Sequence, residues 1–264
     1  MHVHHLNCGS IHALFTGIRS VVYCLLLETN GGLLLVDTGL GTRDYTNPTM
    51  MMRLFRLSLR LGGGLRETAI QQIACLGYDP GNVRHIVLTH LHLDHAGGLP
   101  DFPAAQVHVY RPEYEAACRH KGLLWLGYVP AQWAHGPNWV FHETVTDQWF
   151  GFDCTPVVPG LEPQVLLVPL PGHTPGHCGV AVQVGGRWLF HCGDAASPTT
   201  PQTDPSRTCE QQPNWLFRRL LGDHVPRLRE LVRSHPEEID LISGHDRPGF
   251  LRHQHIQDDD QALG

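Results

Sequence analysis

The chain is 264 residues long and 42% hydrophobic, which suits one large α/β domain with an ample core, and nothing in it reads as a linker. A formal charge of -6 leaves no basic field to grip a phosphate backbone, so no nucleic-acid partner is expected, and no apolar run is long enough to span a membrane. Eight cysteines without a Cys-x-x-Cys pair, and an opening Met1-His-Val-His-His that lacks a signal peptide's apolar stretch, point to reduced thiols in a soluble, cytoplasmic protein.

His2, His4, His5 and His12 accompany a first strand and are expected at the surface or in support of other groups. Val21 to Leu27 and Leu33 to Val36 are two apolar runs around Asn30-Gly31-Gly32, a hairpin whose strands are buried on both faces. Met50 to Leu61 places Met50, Leu54, Leu57 and Leu61 at helical spacing, with Arg53, Arg56 and Arg60 on another face, and closes at Gly62-Gly63-Gly64. This helix is expected to pack on its own domain, a lid or a homodimer contact being the alternative. A second helix, Arg66 to Leu76, stops at Gly77.

The chemistry begins at the next strand. Ile86-Val87-Leu88 is a short buried run, and Thr89-His90-Leu91-His92-Leu93-Asp94-His95 follows where it ends. Residues two apart in extended chain share a face, so His90 and His92 can hold one metal. Asp94 and His95, at the turn that Gly97-Gly98 permits, point to a second centre close by. His85 lies back along the strand and is expected to be structural.

Gln106 to Tyr110 reads as a strand and Pro112 to His120 as a helix with proline in its first turn. Lys121 to Pro163 is an aromatic-rich insertion holding Trp125, Tyr128, Trp133, Trp139, Phe141, Trp149, Phe150 and Phe152. The regular pattern returns with the strand Val165 to Val168, which leads into Gly172-His173-Thr-Pro-Gly-His177. The hairpin Gly179 to His191, turning at Gly185-Gly186, ends in His191-Cys192-Gly193-Asp194. Helices around Trp215 to Leu221 and over Val225 to Ser234 precede the strand Ile239 to Ile242, which ends in Ser243-Gly244-His245-Asp246. The acidic stretch Gln254 to Gly264 is expected to fray. Each strand delivers an imidazole or carboxylate beside a glycine, the layout of a site at one edge of a sheet.

Taken together, these segments resemble the metallo-β-lactamase superfamily. The carriers are His90-x-His92-x-Asp94-His95, His173, Asp194, His245 and Leu35-Val-Asp37-Thr-Gly-Leu40, in family order. The resemblance implies a four-layer αβ/βα sandwich, two mixed sheets flanked by helices. It implies that His90, His92 and His173 bind one divalent metal ion, that Asp94, His95 and His245 bind another, and that Asp194 bridges them. Asp37 is then a supporting residue. Zinc is the expected metal, although manganese, iron or cobalt fit such nitrogen and oxygen donors.

The implied reaction is cleavage of an ester, lactone or thioester by a hydroxide that bridges the metals, with Asp94 and Asp194 also carrying protons. Cys178 and Cys192 are expected to fill core space. Aspartate at 194, where antibiotic-degrading branches use cysteine, resembles the lactonase and glyoxalase II branches. N-acyl homoserine lactonases are the nearest in size and motif order, yet their tyrosine three residues after the bridging aspartate is Ser197 here, with Tyr128 or a water as a substitute. A glyoxalase II-like thioesterase lacks its basic C-terminal region in this chain, and a mono-iron sulfur dioxygenase is the alternative from another class. The expected partner is a small molecule with an apolar chain, selected by Lys121 to Pro163 and the Met50 to Leu61 helix.

Overall fold

The computed structural model describes residues 2–12, 19–119, 127–196 and 224–262. Trp125, Ser197 and the helix expected around Trp215 to Leu221 lie outside the described residues. Among the described residues, twelve strands form two six-stranded sheets. The first holds, in spatial order, β1 (Val3–His12), β2 (Arg19–Thr29), β3 (Gly32–Val36), β4 (Val83–Val87), β5 (Gln106–Tyr110) and β6 (Asn138–His142). It is antiparallel through β3 and parallel from β3 to β6.

The second sheet holds β7 (Asp147–Trp149), β8 (Phe152–Pro156), β9 (Val165–Pro169), β10 (Cys178–Val184), β11 (Arg187–His191) and β12 (Ile239–Ile242). Only its β11–β12 pair is parallel. Both sheets are therefore mixed, as expected.

Period-two side-chain alternation turns these sheets into layers. Val21, Tyr23, Leu25 and Leu27 of β2 meet Val165 and Leu167 of β9 and Val180 and Val182 of β10 between the sheets. Val22, Cys24 and Leu26 face the other way, toward α3 (Ala69–Cys75). Leu166 and Val168 of β9 likewise face outward with Leu228 and Leu231 of the helix Val225–Ser234. The apolar residues of these central strands are thus buried on one face or the other, which explains the uninterrupted apolar runs. Every such Leu or Val withdrawn from water contributes about 1.5–3 kcal/mol before chain entropy is set against it.

Three expectations need correction. The Lys121 to Pro163 stretch is no separate insertion, because it supplies β6, β7 and β8, the outer strands of both sheets. Trp139 and Phe141 pack outward, 5.2 and 4.9 Å from Tyr114 of α4 (Arg111–Arg119), and Trp149 packs edge-on to Phe190. The helix Met50–Leu59, hereafter α2 after the short α1 (Thr42–Thr46), closes at Arg60 with φ 40°, ahead of the glycines. The C-terminal stretch expected to fray continues a helix, Arg247–Ala262.

Cys8, Cys24, Cys75, Cys118, Cys154, Cys178 and Cys192 are free thiols among the described residues. No described helix is long and apolar enough to cross a membrane.

Candidate metal centre

Four strand ends meet at one edge of the sandwich. The chain leaves β4 after Val87 and runs Leu88-Thr89-His90-Leu91-His92, with His90 and Leu91 fully buried. The rings of His90 and His92 lie 4.6 Å apart, and His92 Nδ1 is 3.0 Å from His173 Nε2, in the loop after β9. Asp194, just past β11, sets Oδ2 3.4 Å from the Nε2 atoms of both His173 and His245, 3.9 Å from His90 Nε2, and Oδ1 3.6 Å from His95 Nε2. His245, past β12, also reaches Asp94 Oδ2 at 3.5 Å.

All seven residues singled out in the sequence are therefore together. They fall into three overlapping groups, His90 with His92 and His173, His90 with His95 and Asp194, and Asp94 with His95 and His245. Within each group the donor atoms lie within 4.8 Å of one another.

The donor set fits divalent cations. His90 Nε2, His95 Nε2 and Asp194 Oδ1 are buried without a hydrogen-bond partner, a costly state for polar atoms unless a ligand satisfies them. Imidazole nitrogen and carboxylate oxygen are the donors that zinc and its neighbours take. The backbone is kept thin for the same reason: a Cβ on Gly244 would come within 2.6 Å of Asp194 Oδ1.

Burial, reinforced by neighbouring imidazoles, holds His90 well below the usual histidine range and His92 at about 3, so both are neutral, the form that ligates. Burial pushes Asp194 up, but His245 and His95 outweigh it and hold the carboxylate ionised.

A buried scaffold aims these rings. Asp37 adopts φ 55°, and its carboxylate accepts the Thr89 backbone N–H (2.8 Å), the Thr89 hydroxyl (2.7 Å) and His95 Nδ1–H (2.7 Å). His245 Nδ1–H donates to the Val21 carbonyl at 2.8 Å. The bonds from His95 and His245 fix the tautomer that leaves Nε2 facing the centre. His177 stands behind Asp194, its Nε2 accepting the Asp194 backbone N–H at 2.9 Å.

Sequence reasoning missed Glu113. This fully buried carboxylate, in the first turn of α4, accepts the Leu91 N–H (2.9 Å), the Tyr128 hydroxyl (3.0 Å), the Thr174 hydroxyl (2.6 Å) and the Gly176 N–H (3.2 Å). It ties the His90–His92 segment to the loop of His173. The ring of Tyr128 lies 5.0 Å from His92, but its hydroxyl is committed to Glu113. His85, as expected, is outside the site and bonds to His108 at 3.0 Å.

The model of the metallo-beta-lactamase superfamily matches residues 17–245. A Mycobacterium tuberculosis protein named "Probable metallo-hydrolase" is 42% identical over 250 residues, covering 92% of this chain and 80% of that protein. An N-acyl homoserine lactonase from Bacillus sp is 30% identical over 231 residues, covering 85% and 81%. Among solved structures, an N-acyl homoserine lactone hydrolase with N-hexanoyl-L-homoserine at its catalytic metal center aligns with a TM-score of 0.65, 24% identity and 93% coverage of both chains. AidC, a dizinc quorum-quenching lactonase, aligns with a TM-score of 0.55 and 18% identity, covering 88% of this chain and 75% of its own. At these identities the structural likeness concerns the fold.

Proposed function

The chain belongs to the metallo-beta-lactamase superfamily and is a metal-dependent hydrolase; from that premise we propose that it is a lactonase acting on acylated lactones of the N-acyl homoserine type. We assign His90, His92 and His173 to one divalent ion, Asp94, His95 and His245 to another, and Asp194 to both, with zinc as the metal. The observation that carries the assignment is the convergence of seven donors with His90 Nε2, His95 Nε2 and Asp194 Oδ1 buried without a hydrogen bond. The lactonase reading draws on the 30% identical relative and on aspartate at 194.

Bound there, two such ions supply a water acidified toward neutral pH and Lewis-acid polarisation of the carbonyl. The chain does the rest. Asp37, Thr89 and the Val21 carbonyl hold the imidazoles in a preorganised array, and the His177–Asp194 hydrogen bond fixes the shared carboxylate. Asp94 is assigned the proton given up in the attack and its return to the leaving alkoxide. The acyl chain is assigned to the α2 side of the metal loop, the side on which Met52 packs against Leu93 and Val129.

The test is hydrolysis of N-acyl homoserine lactones with acyl chains from about four to about ten carbons, followed as acid release. Each methylene fully buried adds about 0.8 kcal/mol, so kcat/KM should climb up to roughly fourfold per carbon before levelling. Turnover of glutathione thioesters with none of lactones would move the protein to the glyoxalase II-like reading.

A further inference from the structure

Arg53 and Arg56 of α2 and Arg60 at its C-cap are spaced to stack three guanidiniums along one helix face. With His12, the last residue of β1, and with Leu57 and Leu61, they line an open, solvent-facing groove of about 610 Å³. Among the described residues no carboxylate lies within ion-pair distance of any of the three. Arg53 donates to the Pro48 carbonyl at 3.3 Å, and Arg56 to the Asp44 and Tyr45 carbonyls at 3.4 Å, contacts that orient the side chains without neutralising them. In a chain of net charge -6 this is a local excess of positive charge.

The helix itself explains only part of this pattern. Its dipole favours cations near the C-terminus, which accounts for Arg56 and Arg60 but gives Arg53, in the first half, no support. Arg60 also occupies a left-handed conformation, φ 40°, that a glycine adopts without strain. The strained position carries a guanidinium that lines the groove.

The groove opens along the same strand ends as the metal centre. His12 pairs with Arg19, next to Ser20, whose hydroxyl donates to the His245 carbonyl at 2.8 Å. On the other side α2 packs Met52 beside Leu93, between His92 and Asp94.

We propose that this groove binds a small amphiphile with an oxyanion head, a phosphate or carboxylate. Arg56 and Arg60 grip the head, Arg53 and His12 flank it, and Leu57 and Leu61 receive a short apolar stem. The inference is read by binding alone and does not depend on which ester the metal centre cleaves.

The experiment is titration calorimetry of the metal-loaded protein with hexyl phosphate, and with inorganic phosphate in parallel. The expected result is saturable binding of one hexyl phosphate per chain, weaker binding of inorganic phosphate, and loss of affinity with added salt. Arg56→Gln should weaken it about tenfold or more. Arg60→Lys, which keeps charge but not the planar fork, should retain part of the affinity. Arg60→Gly relieves the backbone strain, so it should lose affinity while melting no lower than the parent. Phosphate binding unchanged in these variants would place it at the metals and overturn the proposal. So would cosedimentation with phosphatidylglycerol vesicles combined with no saturable binding of hexyl phosphate, an outcome that makes the arginine face a membrane contact.

Discussion

His95 Nδ1–H donates to Asp37 Oδ2 at 2.7 Å, and the same carboxylate takes both the N–H and the hydroxyl of Thr89, the residue before His90. One buried anion thus orients two candidate ligands at once. Asp37→Asn keeps the shape, and asparagine tolerates the positive φ, but the charge that steadies His95 is lost. Metal affinity is expected to fall by about 10–100-fold with little change in fold, measured by competition with a chelator. Unchanged affinity would remove Asp37 from the support of the centre.

Glu113 binds four donors from three segments, and an amide has one acceptor oxygen to replace two. Glu113→Gln turns an NH2 toward existing donors and leaves about one or two of them unsatisfied, at about 1–3 kcal/mol each. Because those donors sit at Leu91 and beside His173, the variant should melt lower and release metal faster. A melting temperature equal to the parent's would show that the hub is dispensable.

His5 supplies a pH dependence remote from the metals. Burial, then the stacked ring of His253 4.2 Å away, lowers its pKa from 6.5 to about 3, while Asp240 works the other way. Between those values the unfolded chain binds a proton that the folded protein refuses, so stability is lost as pH falls below about 6.5. The slope from this group alone approaches 1.4 kcal/mol per pH unit. His5→Asn keeps an acceptor for the Tyr23 hydroxyl, now bonded to Nδ1 at 2.6 Å, and should flatten the decline between about pH 6 and 4. Parallel curves for parent and variant in denaturant titrations would contradict this.

How much of this was legible in the sequence follows from the kind of signal each residue leaves. His90, His92, Asp94, His95, His173, Asp194 and His245 are polar groups at the ends of apolar runs, so the converging strand ends can be read once the strands are recognised, while the choice of His173 over His177 and of Asp194 over His191 comes from the family resemblance. Glu113 leaves no such mark, since an acidic residue in the first turn of a helix is ordinary dipole compensation until its partners are seen. The β6 strand, Asn138-Trp-Val-Phe-His142, alternates over five residues only, too short a pattern to separate from loop among so many rings. At Arg60 the three following glycines suggest the wrong terminator, because the left-handed residue precedes them.

Seven side chains are assigned to hold two divalent ions through a shared Asp194. Metal analysis of protein purified without added metal, for the parent and for Asp194→Ala, decides between this arrangement and a single site. Two zinc-like equivalents per parent chain, and loss of metal together with hydrolysis in a folded Asp194→Ala variant, are the predicted result. A single equivalent of iron in the parent, or full retention of two metals by the variant, would contradict it.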